Sequence, residues 1–485
     1  MGTFNNAAEV DIRERRLSSV LSAHGSLDEI VSKSNCKSLC TSCNSYEQCG
    51  TCAQGNANTI TLWVRDAAVI VHSPVGCSLE SITYAGNATV ELKNQERQVW
   101  HLTSNIQEKD TIYGAAKKLN TAIDNAVERF NPRVVFVLAS CVTGIIGEDL
   151  ESIADNKGKE YGIPIVPIYC EGFKSRMWSS GFDAGYHGIF RKLLKEPEKK
   201  QKDLVNIFNF IGEDRLKDLL GKAGIRTRYQ TPFASLEELQ EMTEASCSAT
   251  FCETLSSYSA AVLEEEYGVI QVKNPPPYGI KWTDDWLREI GSYTGKEKEV
   301  EELIKSEHER IQPELDELRS KLKGKKVYVM TGDTFAFQMA NVVGDLGMEV
   351  VGISPLHHDQ VTDGKGVITS LEKLNEEKPG INNVNVCSKQ PYQAIKLIRQ
   401  ANPDFVISRH AGIAAIATKM GISILPEGNK DDSIAYDGVL KLGHRALVAL
   451  KTQKLTKHLS DHIEFPYTDW WDEDVDDAYY FAPKK

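Results

Sequence analysis

Residues 134–150 read Val134-Val135-Phe136-Val137-Leu138-Ala139-Ser140-Cys141-Val142-Thr143-Gly144-Ile145-Ile146-Gly147-Glu148-Asp149-Leu150. The run from Val134 to Ala139 is apolar without alternation. That predicts a strand buried on both faces, as in a parallel sheet covered by helices. A cysteine stands where the strand ends, and in open α/β sheets the carboxyl ends of strands open onto the binding crevice. The pattern recurs at 67–72, 163–169, 204–211, 269–272, 326–330, 349–353, 405–408 and 422–425, each run followed by a helical stretch. The expected fold class is α/β, with three doubly wound parallel-sheet (Rossmann-like) domains.

The boundaries follow from composition. Residues 1–50 are a polar, cysteine-bearing N-terminal segment, and a first α/β domain runs over 51–200. A charged stretch with Pro197 separates it from a second domain, 201–325. That domain ends in a charged helix over 296–323 with Ile304, Ile311, Leu315, Leu318 and Leu322 at helical spacing. Pro313 predicts a kink or break in it, and Gly324 is placed to end it. A third domain covers 326–452, and an acidic, aromatic tail with Trp470, Trp471, Tyr479, Tyr480 and Phe481 covers 453–485.

A net charge of −12 argues against a nucleic-acid partner, which calls for a basic surface. No apolar run approaches the roughly 18 residues that cross a bilayer, and Met1 to Arg16 lack a signal peptide's apolar stretch. The reading is a cytoplasmic protein whose cysteines stay reduced and serve as metal ligands or small buried residues.

Cysteine is the informative residue. Cys52 precedes the first α/β unit, Cys77 follows the first strand and its turn, and Cys141 follows the strand quoted above. Thiolates at neighbouring strand ends select iron–sulfur clusters or zinc, and three unrelated buried cysteines is the alternative from spacing alone.

His72-Ser73-Pro74-Val75-Gly76-Cys77 resembles the His-Gly-Pro-Val-Gly-Cys element of the α-type subunits of the nitrogenase component 1 family. Ser140-Cys141 with Gly144 to Leu150 resembles that family's second cysteine element, and Cys170-Glu171-Gly172-Phe173 the segment after it. Cys252, sixteen residues before Gly268, falls at the family's cofactor-ligand cysteine. The likeness runs from about Cys52 to Leu450 and implies that the three domains surround a buried metallocluster. It implies that Cys52, Cys77 and Cys141 ligate a P-cluster-like or 4Fe-4S iron–sulfur cluster shared with a β-type component-1 subunit in an α2β2 heterotetramer. Cys252 would hold one end of a nitrogenase-type iron–sulfur cofactor, approached by the loop Thr331-Gly332-Asp333-Thr334. The resemblance also implies that electrons come from an ATP-hydrolysing iron protein homodimer; this chain carries no phosphate-binding G-x-x-x-x-G-K-[ST] loop, so ATP would be used by that partner. Cys170, Cys247 and Cys387 read as packed thiols.

Cys36, Cys40, Cys43 and Cys49 are additional, and with Cys52 they read C-x3-C-x2-C-x5-C-x2-C. The first part matches radical-SAM spacing, but no barrel pattern accompanies it. An accessory metal at a subunit interface and reduced minor cysteines are the remaining readings.

The departures from the family carry chemistry. The family's distal cofactor histidine aligns near Gly428, in a loop without histidine. Its glutamine and second histidine, eight and twelve residues after Cys170, align with Trp178 and Phe182, and its arginine near Ala85 has no counterpart. A phenylalanine neither donates protons nor accepts hydrogen bonds. A pocket with Trp178 and Phe182 is drier and suits an apolar or methylated substrate better than dinitrogen. Glu427, Asn429, His410 and the pair His357/His358 are the groups placed to substitute. Three functions are weighed: a nitrogenase-like reductase, with methylthio-alkane C–S cleavage the best-fitting branch; a cofactor-assembly scaffold; and relatives that reduce tetrapyrroles.

Overall fold

The computed structural model describes residues 3–42, 51–79, 99–208, 215–231, 234–387, 391–409, 411–427, 433–465, 467–470 and 477–479. In chain order its strands are β1 (Ser22–Gly25), β2 (Ala67–His72), β3 (Val99–Thr103), β4 (Val134–Ala139), β5 (Ile165–Ile168), β6 (Gln201–Phe208), β7 (Arg226–Thr231), β8 (Ala245–Thr250), β9 (Ile270–Gln271), β10 (Lys326–Thr331), β11 (Glu349–Pro355), β12 (Val384–Cys387), β13 (Phe405–Ser408) and β14 (Ser423–Pro426). They form three sheets, ordered β3-β2-β4-β5, β7-β6-β8-β9 and β1-β12-β11-β10-β13-β14. The pairings within the first two are parallel. Every residue of β2 and β4 is buried, as a helix-covered parallel sheet requires.

Two local expectations change. The N-terminal segment supplies β1, which joins the third sheet antiparallel to β12, with Ser22 opposite Cys387. And the helix Glu297–Leu322 runs on through Pro313. Its buried stripe, which includes Ile304, Ile311, Leu315, Leu318 and Leu322, holds it against the core on both sides of the proline. Packing thereby outweighs the roughly 3 kcal/mol that an interior proline costs. Gly324 follows with φ 72°, the left-handed conformation that ends the chain's helical course.

The N-terminal segment also penetrates the interior. Arg13 is fully buried; its Nε and Nη2 donate to the two carboxylate oxygens of Asp183 at 2.8 Å each, and its Nη1 donates to Asp359 at 2.9 Å. Nη2 also donates to the Thr254 carbonyl. Arg16 adds contacts to Asp183 at 2.5 Å and to Asp363. Burial alone would lower the Arg13 pKa, but the Asp183 and Asp359 carboxylates raise it, so the guanidinium stays charged. One short segment thus ties all three α/β layers together. No helix among the described residues is long and apolar enough to cross a membrane.

Candidate metal centres

The helix Ala53–Thr61 is buried along its whole length and packs against the helix Ser180–Leu193. Gly181 makes this approach possible, because a Cβ there would collide with the Ala53 carbonyl. Cys52 is the N-cap of the first of these helices, so its sulfur stands at the positive end of a helix dipole. Cys141 opens the short helix Cys141–Ile146, capped by Ser140, whose hydroxyl donates to the His72 carbonyl at 2.7 Å. That bond ties the end of β4 to the end of β2. A Cβ placed on Gly172 would lie 3.1 Å from the Cys52 sulfur and 3.8 Å from the Cys141 sulfur. Both sulfurs therefore face one space beside a residue without a side chain, and neither is bonded to another cysteine.

Cys77 lies at the same edge of the sheet, in the helical residues 75–79 that follow β2, and is exposed. Among the described residues no group of three or more metal-ligating side chains converges. The chain thus brings Cys52 and Cys141 together and leaves Cys77 on the open side. Val75, Leu79, Ile145 and Phe173 rim this site and are 51–75% exposed, an apolar fringe unusual on a free surface.

Cys170 packs as expected, its thiol pointing at the carbonyls of Ala139 and Ile168, with burial pushing its pKa up. Cys247 lies in the core of the second sheet. Cys36 is exposed. Cys43, Cys49, Ala85, His410, Gly428 and Asn429 lie outside the described residues, as does the Cys387 side chain.

Cys252 is a further candidate ligand. It follows β8 as the N-cap of the helix Glu253–Tyr267, the same device that places Cys52. Burial pushes its thiol pKa up, and the Arg409 charge opposes that rise. Its neighbour Glu253 is buried; the backbone N–H and hydroxyl of Ser370 donate to its Oε1 at 3.1 and 2.7 Å. Its Oε2 meets no hydrogen-bond partner among the described residues, and Glu253 lines a cavity of about 30 Å³ together with Thr254, Thr334 and His358. That volume accommodates a water. Burial pushes the Glu253 pKa up to about 7.

Trp178 and Phe182 meet edge-to-face at 5.9 Å, and Trp178 meets His357 in the same way at 5.9 Å. Phe182 is buried, and Trp178 packs against the cores of both the first and the third sheets. His357 is buried, and burial pushes its pKa down to about 4, so it is neutral near pH 7. His358 is buried too, its Nε2 2.7 Å from the Ser34 hydroxyl. Of the residues named from the sequence, Trp178, Phe182 and His357 are therefore brought together, while His358 turns to the N-terminal segment. Thr331 and Glu427 are buried at the carboxyl ends of β10 and β14. Glu427 accepts from Arg445 at 2.6 Å and from the Ser433 hydroxyl at 2.7 Å. Sequence reading missed Glu253, Arg409 and the Arg13 network. Position beside a strand end could have flagged the first two; nothing local marks the third.

Comparison with known proteins identifies the family and the fold. Residues 52–451 match the family described as nitrogenase component 1 type oxidoreductase. The chain is similar to the nitrogenase molybdenum-iron protein alpha chain of Methanococcus maripaludis, at 32% identity over 71% of this chain and 79% of the relative. It is also similar to the nitrogenase iron-molybdenum cofactor biosynthesis protein NifE of Clostridium pasteurianum, at 27% identity over 77% and 80%. A solved structure titled nitrogenase Cp1 at pH 5 shares the fold with a TM-score of 0.69 at 21% identity, over 89% of this chain and 92% of that one.

Proposed function

The chain belongs to the nitrogenase component 1 type oxidoreductase family, and from that premise we propose that it is the α-type catalytic subunit of a nitrogenase-like reductase. The observation that carries the reading is a combination. Cys52 and Cys252 stand at helix N-termini, and Trp178 and Phe182, at the positions that the resemblance assigns to glutamine and histidine, meet edge-to-face; together these support the reading.

The donor sets fit the groups the family implies. Cys52 and Cys141 face one space with soft sulfur donors, and the apolar rim around them is the surface a β-type subunit would cover while supplying the remaining ligands. Cys252 offers a single thiolate at a helix N-terminus. An iron–sulfur cofactor bound there would supply low-potential electrons and a metal face for reduction. The chain's own residues do the rest. The edge-to-face rings of Trp178, Phe182 and His357 exclude water and present apolar surface to a methylated substrate. Neutral His357, and Glu253 with its bordering cavity, are the groups placed to hold or pass a proton.

The substrate class proposed is a methylthio-alkane, whose C–S bond is cleaved with two electrons and two protons to give a hydrocarbon and methanethiol. The partners proposed are a β-type subunit in an α2β2 heterotetramer and an ATP-hydrolysing iron protein, in the reducing cytoplasm. The similarity to NifE favours a second reading, a scaffold on which a cofactor is assembled.

Anaerobic purification with the partner subunit and iron protein, followed by assay of ATP-dependent methanethiol release, tests the choice. Turnover with a full iron complement supports the reductase. Full iron without turnover on any reducible substrate, together with transfer of cofactor to an apo-enzyme, supports the scaffold and defeats the reductase.

A further inference from the structure

Met330 of β10, Ser408 of β13 and Pro426 of β14 stand side by side in parallel register. The residues that follow them, Thr331, Arg409 and Glu427, thus reach the carboxyl edge of the third sheet at one level, the edge at which open α/β sheets take ligands. The Glu427 backbone N–H donates to the Ser408 carbonyl at 2.8 Å, which keeps these exits adjacent.

Arg409 is the cation of this row. Its guanidinium carbon lies 4.8 Å from the centre of the Phe335 ring, in the first turn of the helix Asp333–Asp345. Phe335 meets Tyr278 edge-to-face at 5.3 Å, and Tyr278 meets Phe251 likewise at 5.9 Å. Phe251 is the chain neighbour of Cys252. A line of buried rings therefore leads from the backbone of the thiol to the guanidinium, across the junction of the second and third sheets. The Arg409 charge acts on Glu427, opposing the upward push that burial gives that carboxyl.

We propose that Arg409 is the second anchor of the cofactor held at Cys252, a positioning residue that binds the anionic, sulfide-bearing cluster by charge and N–H donation in place of a coordinating side chain. The proposal rests on the reading of Cys252 as a cluster ligand. A guanidinium suits this role because it is permanently charged, weakly hydrated and planar, and stacking on Phe335 fixes its plane. A cation beside a cluster also raises its reduction potential, because it favours the more negative, reduced state.

The test compares wild type with C252A, R409Q and R409K, each co-purified anaerobically with the partner subunit. Iron per chain and the midpoint potential of the Cys252-dependent signal are read by anaerobic titration with paramagnetic resonance. The expected result is that R409Q releases the Cys252-dependent iron roughly tenfold faster than wild type, or holds it at a more negative potential. R409K falls between wild type and R409Q, because the ammonium keeps the charge but loses the planar fork stacked on Phe335, and iron at the Cys52–Cys141 centre is unchanged in both. Wild-type iron retention and potential in R409Q would overturn the proposal, as would loss of the Cys252-dependent iron from R409Q and R409K alike. Iron content unchanged in C252A is a different outcome, and removes the reading of Cys252 instead.

Discussion

Gly172 lies directly against Cys52: a side-chain carbon on the glycine would fall 2.8 Å from the cysteine Cβ. The third contact is the Cys141 sulfur, at 3.8 Å. Gly172→Ala is therefore expected to push Cys52 off its helix cap at an overpacking cost of about 1–3 kcal/mol. The chain still folds, and iron bound at the Cys52–Cys141 centre drops while Cys252-dependent iron stays. Iron analysis with circular dichroism checks this; an alanine variant with full iron at both centres would count against a cluster in this space.

Arg13→Met tests the network from the N-terminal segment. The methionine fills the apolar part of the site but leaves Asp183 and Asp359 short of a buried partner. Removing one partner of a buried pair costs about 3–5 kcal/mol, here at the low end because Arg16 also reaches Asp183. Denaturant unfolding measures it. A loss under about 1 kcal/mol would mean that the segment is bound by its apolar contacts alone.

Acid sensitivity follows from four histidines. Burial pushes His72, His101, His357 and His358 each down to about 4. Their unfolded value is about 6.5, so the unfolded chain takes up protons that the folded chain refuses between those limits. Stability is fully present above about pH 6.5 and falls as pH drops toward 4. Unfolding midpoints at pH 7 and pH 5 should differ markedly, and His358→Gln should flatten the difference. Equal midpoints in wild type would refute the assignment.

Glu253 acts with the opposite sign. Burial raises its pKa to about 7, so its contribution is lost as pH rises from the unfolded value of about 4.5 through 7. Glu253→Gln keeps an acceptor for Ser370 and removes the buried charge. It is expected to stabilise the protein at pH 8 and to change little at pH 5, as followed by thermal melting. Destabilisation at pH 8 would show that the carboxylate is paired there.

What could be read from the chain and what could not differ for physical reasons. β2, β4 and β13 are continuous apolar runs because both faces are buried, and their reading matches the structure. β8, Ala245–Thr250, is built of small and polar residues and carries no such signal, although it delivers Cys252. β1 is four residues long and exists because β12 offers it an edge. The approach of Cys52 to Cys141 was legible because one edge of a parallel sheet gathers the loops that enter and leave it. The contact of Arg13 with Asp183, separated by 170 residues, and of Trp178 with His357 depend on how the sheets assemble, which no local pattern encodes. Arg409 follows its strand one residue before His410 and carries the same positional signal.

The most direct test of the account is iron counted per αβ unit in protein purified without oxygen, for wild type, Cys141→Ala and Cys252→Ala. Two independent iron populations are predicted, one lost in each variant with the other retained. Wild-type iron in both variants, or no iron in any of the three, would contradict it.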